Sequence, residues 1–170
     1  MERSVSTEAL VLRWEEALRA PSLRNLPYKI ELNAWGKIEL SSIGARRARV
    51  KAHIAGELGR QLSHGVAFTG CPVLTEIGLR VSDVAWASQE FMQRHASAEI
   101  LPSAPEICVE VISPSNMEVE ITDKTSAYLH AGALEVWIAT EAGELHFFDA
   151  TGEKSASRFA VTLSLPKLAK

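Results

Sequence analysis

The segment Glu106-Ile-Cys-Val-Glu110-Val-Ile-Ser-Pro-Ser-Asn116 constrains this chain more than any other. From Ile107 to Ile112 it is apolar except for one carboxylate, so it reads as a buried strand. Pro114-Ser-Asn116 then turns the chain, and a helix from about Met117 to His130 brings Lys124 and Tyr128 back toward it. An isolated charge inside such a strand is too costly to persist, so Glu110 must be paired or bound to a metal. A second carboxylate, Asp83 in Arg80-Val-Ser-Asp83-Val-Ala-Trp86, is also flanked by apolar strand residues.

Length and composition frame that strand. The chain has 170 residues, 46% hydrophobic and 23% charged. One domain spanning 1–170 is expected, large enough to bury most of its apolar surface without staples. The two cysteines, Cys71 and Cys108, lie beside apolar residues with no partner at metal-ligand spacing, so buried reduced thiols are expected. No apolar run approaches the roughly 18 residues that span a bilayer. The first residues are charged with no hydrophobic stretch behind them, which is not the pattern of a signal peptide. A cytoplasmic setting is expected. The net charge of −3 argues against non-specific coating of nucleic acid but leaves room for a basic patch at a cleft.

Along the chain, residues 7–18 have helical periodicity, with Ser6 or Thr7 as N-cap. Residues 28–33 and 37–41 alternate around Asn33-Ala-Trp-Gly36 as a hairpin. Val50, Ile54, Leu58 and Leu62 recur every four residues, which predicts a long amphipathic helix over 45–62. Short strands are expected at 66–69 and 73–77, separated by Gly70-Cys-Pro72, followed by a strand over 79–87. Ser88 would cap a helix running to about Arg94, and 95–105 reads as loop. After the helix closes at Gly132, strands are expected over 134–140, 144–149 and 157–163. Helices around a mixed sheet in one connected core make a three-layer α/β domain.

Asp83 and Glu110, on neighbouring strands, could present oxygens to one hard divalent cation. Magnesium takes one or two protein carboxylates and completes its shell with water and substrate phosphate. Lys124 could then stabilise developing negative charge or orient a water. It shares a helix face with Tyr128 and Glu120, each four residues away. Each residue also has a plain structural reading: a surface Glu120–Lys124 pair, a strand-end aspartate at Asp83, an ion pair at Glu110. Arg46, Arg47, Arg49 and Lys51 form the densest basic cluster. They are either solvated helix surface or, if they border the carboxylates, contacts for a nucleic-acid backbone. The five histidines show no ligand spacing, and no glycine-rich phosphate loop is present.

Pro105-Glu-Ile-Cys-Val-Glu-Val-Ile-Ser-Pro-Ser115, the spacing on to Lys124 and Tyr128, and Gly132-Ala-Leu-Glu-Val-Trp-Ile138 together resemble the Uma-two family. These bacterial proteins are grouped with the endonucleases of the PD-(D/E)xK superfamily and were long a domain of unknown function. The resemblance implies a restriction-endonuclease-like fold, a mixed β-sheet flanked by helices, with Asp83 as first acid and Glu110 as second. The superfamily lysine two positions after the second acid is Ile112 here, and the resemblance relocates it to Lys124. Glu31 matches an acidic position on the first hairpin, and Tyr128 and Ser113 match motif positions with accessory roles. Ser82, Arg47 and Glu120 depart from the family's usual proline, histidine and aspartate.

The implied activity is hydrolysis of DNA phosphodiester bonds by a magnesium- or manganese-dependent endonuclease. Asp83 and Glu110 would hold the metal, Lys124 would assist, and a homodimer would cut both strands. The alternative is a catalytically inactive binding or interaction module on the same fold. Carboxylates that converge with Lys124 favour the enzyme, and carboxylates sealed by neighbouring side chains favour the module. A hydrolase of some other substrate is compatible with the same fold.

Overall fold

The computed structural model describes residues 4–166. Helix α1 (Thr7–Arg19) is capped by the Ser6 hydroxyl, which accepts from the Ala9 amide. Strands β1 (Tyr28–Asn33) and β2 (Ile38–Ser42) form the expected hairpin. Its turn is held by the Asn33 side chain, whose oxygen accepts from the Trp35 and Lys37 amides at 3.1 and 3.0 Å. Helix α2 (Ala45–Gln61) leads into β3 (Gly65–Thr75) and β4 (Gly78–Ser88), then the short α3 (Gln89–Arg94). The central strand β5 (Ile107–Ile112) passes through α4 (Glu118–His130) to β6 (Glu135–Thr140). Strands β7 (Leu145–Asp149) and β8 (Gly152–Lys154) finish the sheet.

All eight strands belong to one mixed sheet. Only β5 and β6 pair in parallel as named strands, because α4 carries the chain back across the sheet between them; the other strand pairings are antiparallel. Helices cover both faces. On one, Val50, Ile54 and Leu58 of α2 are fully buried against Val84, Trp86, Val109 and Trp137. That four-residue stripe is what the sequence periodicity predicted, and each such side chain contributes about 1.5–3 kcal/mol by leaving water. On the other face, Phe91 of α3 and Tyr128 of α4 pack with Ala85, Ala87, Cys108 and Val136. Leu10 and Trp14 of α1 cover Leu32, Leu79 and Val81 where β1 meets β4. Both cysteines are free and buried.

Two sequence expectations are corrected. The short strands at 66–69 and 73–77 are one strand, β3, in register with β4 on both sides of Gly70. Pro72 is tolerated because, apart from the single Leu101 bridge, β4 is the only strand among the described residues that β3 pairs with. The loop after α3 closes that edge, its Leu101 amide donating to the Pro72 carbonyl at 2.9 Å. The expected strand over 157–163 is not a strand. Its alternation instead lays Phe159, Val161 and Leu163 against the α2-side core. The Gln61 side chain clasps it, donating to the Thr162 carbonyl at 2.9 Å and accepting from its amide at 2.8 Å. The last strand is the shorter β8, a hairpin partner of β7.

Candidate active site

The site lies where the sheet forks. Strand β3 pairs with β4 along its length, while β1 and β5 share the opposite edge of β4. β1 pairs only at Gly78 and Leu79, and β5 only from Val84 to Trp86. Residues 80–83 therefore have no strand partner on that edge, and their backbone groups need other partners. Side chains supply them. The Val81 amide donates to Glu31 Oε1 at 2.8 Å, and its carbonyl accepts from Lys29 Nζ at 3.0 Å. Across the gap, the Val111 amide donates to Asp83 Oδ2 at 2.9 Å. The Ser82 hydroxyl, where the family resemblance expects proline, accepts from the Val109 amide at 3.2 Å and donates to the Val84 carbonyl at 2.7 Å.

The fork brings together Glu31, Asp83, Glu110 and Lys124, which are only 3%, 3%, 5% and 6% exposed. Tyr128, fully buried, donates its hydroxyl to Glu110 Oε1 at 2.9 Å. Lys124 points chiefly at Glu31, with Nζ 2.7 Å from its Oε2; Glu110 Oε2 is 4.0 Å away and Glu120 Oε1 3.6 Å. The group between the two strand acids is Lys29, whose Nζ lies 3.1 Å from both Asp83 Oδ1 and Glu110 Oε2. Lys51 of α2 reaches Asp83 Oδ1 at 2.7 Å. Three carboxylates thus face three ammonium groups.

Sequence reasoning did not single out Lys29. The available signal was its position two before Glu31 on the same strand, which puts both on one face. Of the two readings of the basic cluster, Lys51 meets the one that borders the carboxylates, and its i,i+4 spacing from Arg47 puts the two on one helix face. Arg47 is not a free surface charge either. Its guanidinium donates to Ser113 Oγ at 2.6 Å, Asn116 Oδ1 at 3.1 Å, Glu141 Oε1 at 3.3 Å and the Ser42 carbonyl at 3.2 Å. It ties the start of α2 to the β5–α4 turn. Ser113 belongs to that turn, its amide donating to Asn116 Oδ1 at 3.0 Å, and bonds none of the three carboxylates. Arg46 and Arg49 are exposed.

The charges shift one another. Burial works against the Lys29 ammonium, but Glu110, Asp83 and Glu31 outweigh it and hold its pKa above the usual lysine value. Burial likewise works against the Asp83 and Glu31 carboxylates, and the lysines reverse it. Lys29 and Lys51 depress Asp83, and Lys29 and Lys124 depress Glu31. Glu110 goes the other way: burial, reinforced by the negative charges of Asp83 and Glu31, raises it despite Lys29 and Lys124. Burial and the adjacent Glu110 push the Tyr128 hydroxyl well above its usual value. Oppositely shifted carboxylates in one cleft are a pattern of acid–base sites.

Lys29, Ser41, Arg47, Asp83, Glu110 and Lys124 line a cleft of about 20 Å³, room for about one water. The Ser41 hydroxyl there is buried without a hydrogen-bond partner. Asp83 Oδ1 and Glu110 Oε2 are hard oxygen donors directed at one point, which fits a magnesium-type ion, although Lys29 Nζ holds that point. Among the described residues no three His, Cys, Asp or Glu side chains are grouped to hold a metal; magnesium needs no more than one or two protein carboxylates.

A forked mixed sheet flanked by helices is a restriction-endonuclease-like α/β fold. The family described as "Uma2: Putative restriction endonuclease" matches residues 14–168, and the chain belongs to that family. A crystal structure from Anabaena variabilis, described as a putative nuclease, shares the fold with a TM-score of 0.62 at 17% identity, over 79% of this chain and 78% of that one. No curated protein matches the chain. No helix among the described residues is long and apolar enough to cross a membrane.

Proposed function

We propose that this chain is a divalent-metal-dependent endonuclease that hydrolyses DNA phosphodiester bonds at the fork between β1 and β5. The observation that carries the reading is the meeting of Glu31, Asp83, Glu110 and Lys124 in one buried charge cluster, in a member of this family. Asp83 and Glu110 would hold magnesium or manganese, which when bound supplies Lewis-acid polarisation of a phosphodiester and acidifies water. Glu31 aims the Lys124 ammonium, which would offset negative charge gathering on the phosphate. Tyr128 holds Glu110 Oε1 and so leaves Oε2 to face the cleft. Arg47 fixes the β5–α4 turn, and the exposed Arg46 and Arg49 would contact the nucleic-acid backbone. A homodimer would place two such sites on the two strands. The two free buried cysteines suit a reducing, cytoplasmic setting.

The test is cleavage of plasmid DNA by purified protein with magnesium, manganese or neither. Cleavage that needs the metal and falls on the order of a hundredfold or more in Glu110→Ala and Lys124→Ala is the expected result. Activity that survives both substitutions removes the site assignment. A second reading, a binding module without catalysis, is favoured by the closure of the site: its acids are almost fully buried and each is paired with lysine. Native protein that binds DNA yet never cuts it, with either metal, decides for that module.

A further inference from the structure

Lys29 stands in an unusual place. Four oxygens surround its Nζ: Asp83 Oδ1 and Glu110 Oε2 at 3.1 Å each, the Val81 carbonyl at 3.0 Å and Glu31 Oε1 at 3.8 Å. Its three N–H donors are taken up by the two carboxylates and the Val81 carbonyl, and Glu31 Oε1 adds a longer charge contact. Two carboxylates and a backbone carbonyl are also the oxygen types that hard divalent ions select. With room for about one water, the cleft does not admit a hydrated ion while that ammonium keeps its place between Asp83 and Glu110.

A place for the side chain to go is built in. Ser41 is the cross-strand partner of Lys29 in the β1–β2 ladder. Its hydroxyl lines the same cleft, buried and without a hydrogen-bond partner. A buried polar atom left unpaired is costly, and a displaced ammonium supplies what it lacks. Lys51 meanwhile stays on Asp83 and keeps that acid ionised.

We propose that Lys29 holds the divalent-cation position in the resting protein, and that a metal ion binds at Asp83 and Glu110 only when this side chain is displaced toward Ser41. The inference rests on the metal-dependent reading above and adds a gate to it. Apparent metal affinity is then the intrinsic affinity reduced by the fraction of molecules with Lys29 out of the way. With that fraction at or below about one in ten, removing the side chain tightens binding tenfold or more.

Manganese binding, followed by electron paramagnetic resonance of the free ion, and the shift of Tm with manganese test this without any activity. Lys29→Met and Lys29→Gln are expected to bind manganese about tenfold or more tighter than the native chain. Without metal their Tm should fall below native, and manganese should raise it further than it raises the native Tm. Adding Glu110→Gln to Lys29→Met should abolish the gain. The glutamine variant keeps a donor for the Val81 carbonyl, so it stays informative if Lys29→Met needs metal to fold. Native protein and variants that bind manganese equally, or variants that bind it more weakly, overturn the gate and leave the metal-dependent reading standing. No binding and no Tm shift in any of them overturns both.

Discussion

At the scale of single residues, Asp83 and Glu110 look alike in sequence yet are opposite in energetics. Each is a carboxylate in an apolar strand, but two lysines stabilise the charge on Asp83 while burial and its acidic neighbours disfavour it on Glu110. Asp83 and Glu31, lowered from their ordinary 3.8 and 4.5, contribute stability above those values that is lost as pH falls through their folded pKa. Glu110, raised from 4.5, acts in reverse: folding favours its proton, and stability declines as pH rises through the window above 4.5. At pH 7, Asp83→Asn should therefore cost about 3–5 kcal/mol, because it leaves buried lysines uncompensated. Glu110→Gln should cost less than Asp83→Asn, because burial and the neighbouring acids already disfavour the charge it removes. Urea unfolding at pH 7 and in acid measures both, and the Asp83→Asn deficit should shrink in acid. Equal losses for the two variants at pH 7 would contradict the opposite directions of the two shifts. The existence of a charged site was legible because a buried strand carboxylate demands a partner. The identity of the partner was not, since Lys29 lies far from Glu110 in sequence and reaches it only through the sheet.

At the scale of elements, the fork that creates the site depends on how β4 begins. Gly78 opens that strand at a φ of 118°, and a Cβ there would lie 2.1 Å from the Leu32 carbonyl oxygen. The contact is with backbone and cannot be relieved by a side-chain rotation. Gly78→Ala should cost on the order of 3 kcal/mol and loosen the short β1–β4 pairing. Hydrogen exchange should then rise at Leu32 and Leu79 while α2 stays protected. If Gly78→Ala leaves Tm unchanged, the close approach is not as tight as the geometry gives. Helices and hairpins were readable because their signals are local: the Ser6 cap, the four-residue stripe of α2, the asparagine turn. The continuity of β3 was not, because Gly70 and Pro72 are local breakers. The long ladder to β4 and the Leu101 bridge override them.

At the scale of the whole molecule, the C-terminal segment is held by a carboxylate with no cation partner among the contacts of the described residues. Glu135, 1% exposed, accepts from Trp137 Nε1 at 2.7 Å, the Ser157 hydroxyl at 2.6 Å and the Arg158 amide at 2.6 Å. Those three donors pin the segment whose Phe159, Val161 and Leu163 complete the core on the α2 face. Glu135→Ala should cost about 2–4 kcal/mol by leaving buried donors unpaired, and should open the chain to proteolysis near Ser157. Glu135→Gln, which keeps one acceptor oxygen, should lose less; a Tm unchanged in the alanine variant would assign the anchoring to apolar contacts alone. The sequence by itself determined the class of fold, most element positions, and the need for a charge cluster around Glu110. Periodicity, capping and the cost of a buried charge act locally and can be read locally. Only the tertiary structure decided that β1 and β5 part on one edge of β4, that Lys29 rather than Lys124 lies between the two acids, and that the tail packs without becoming a strand. Each of those depends on which distant backbone groups are left without a partner, and that is settled when the sheet closes.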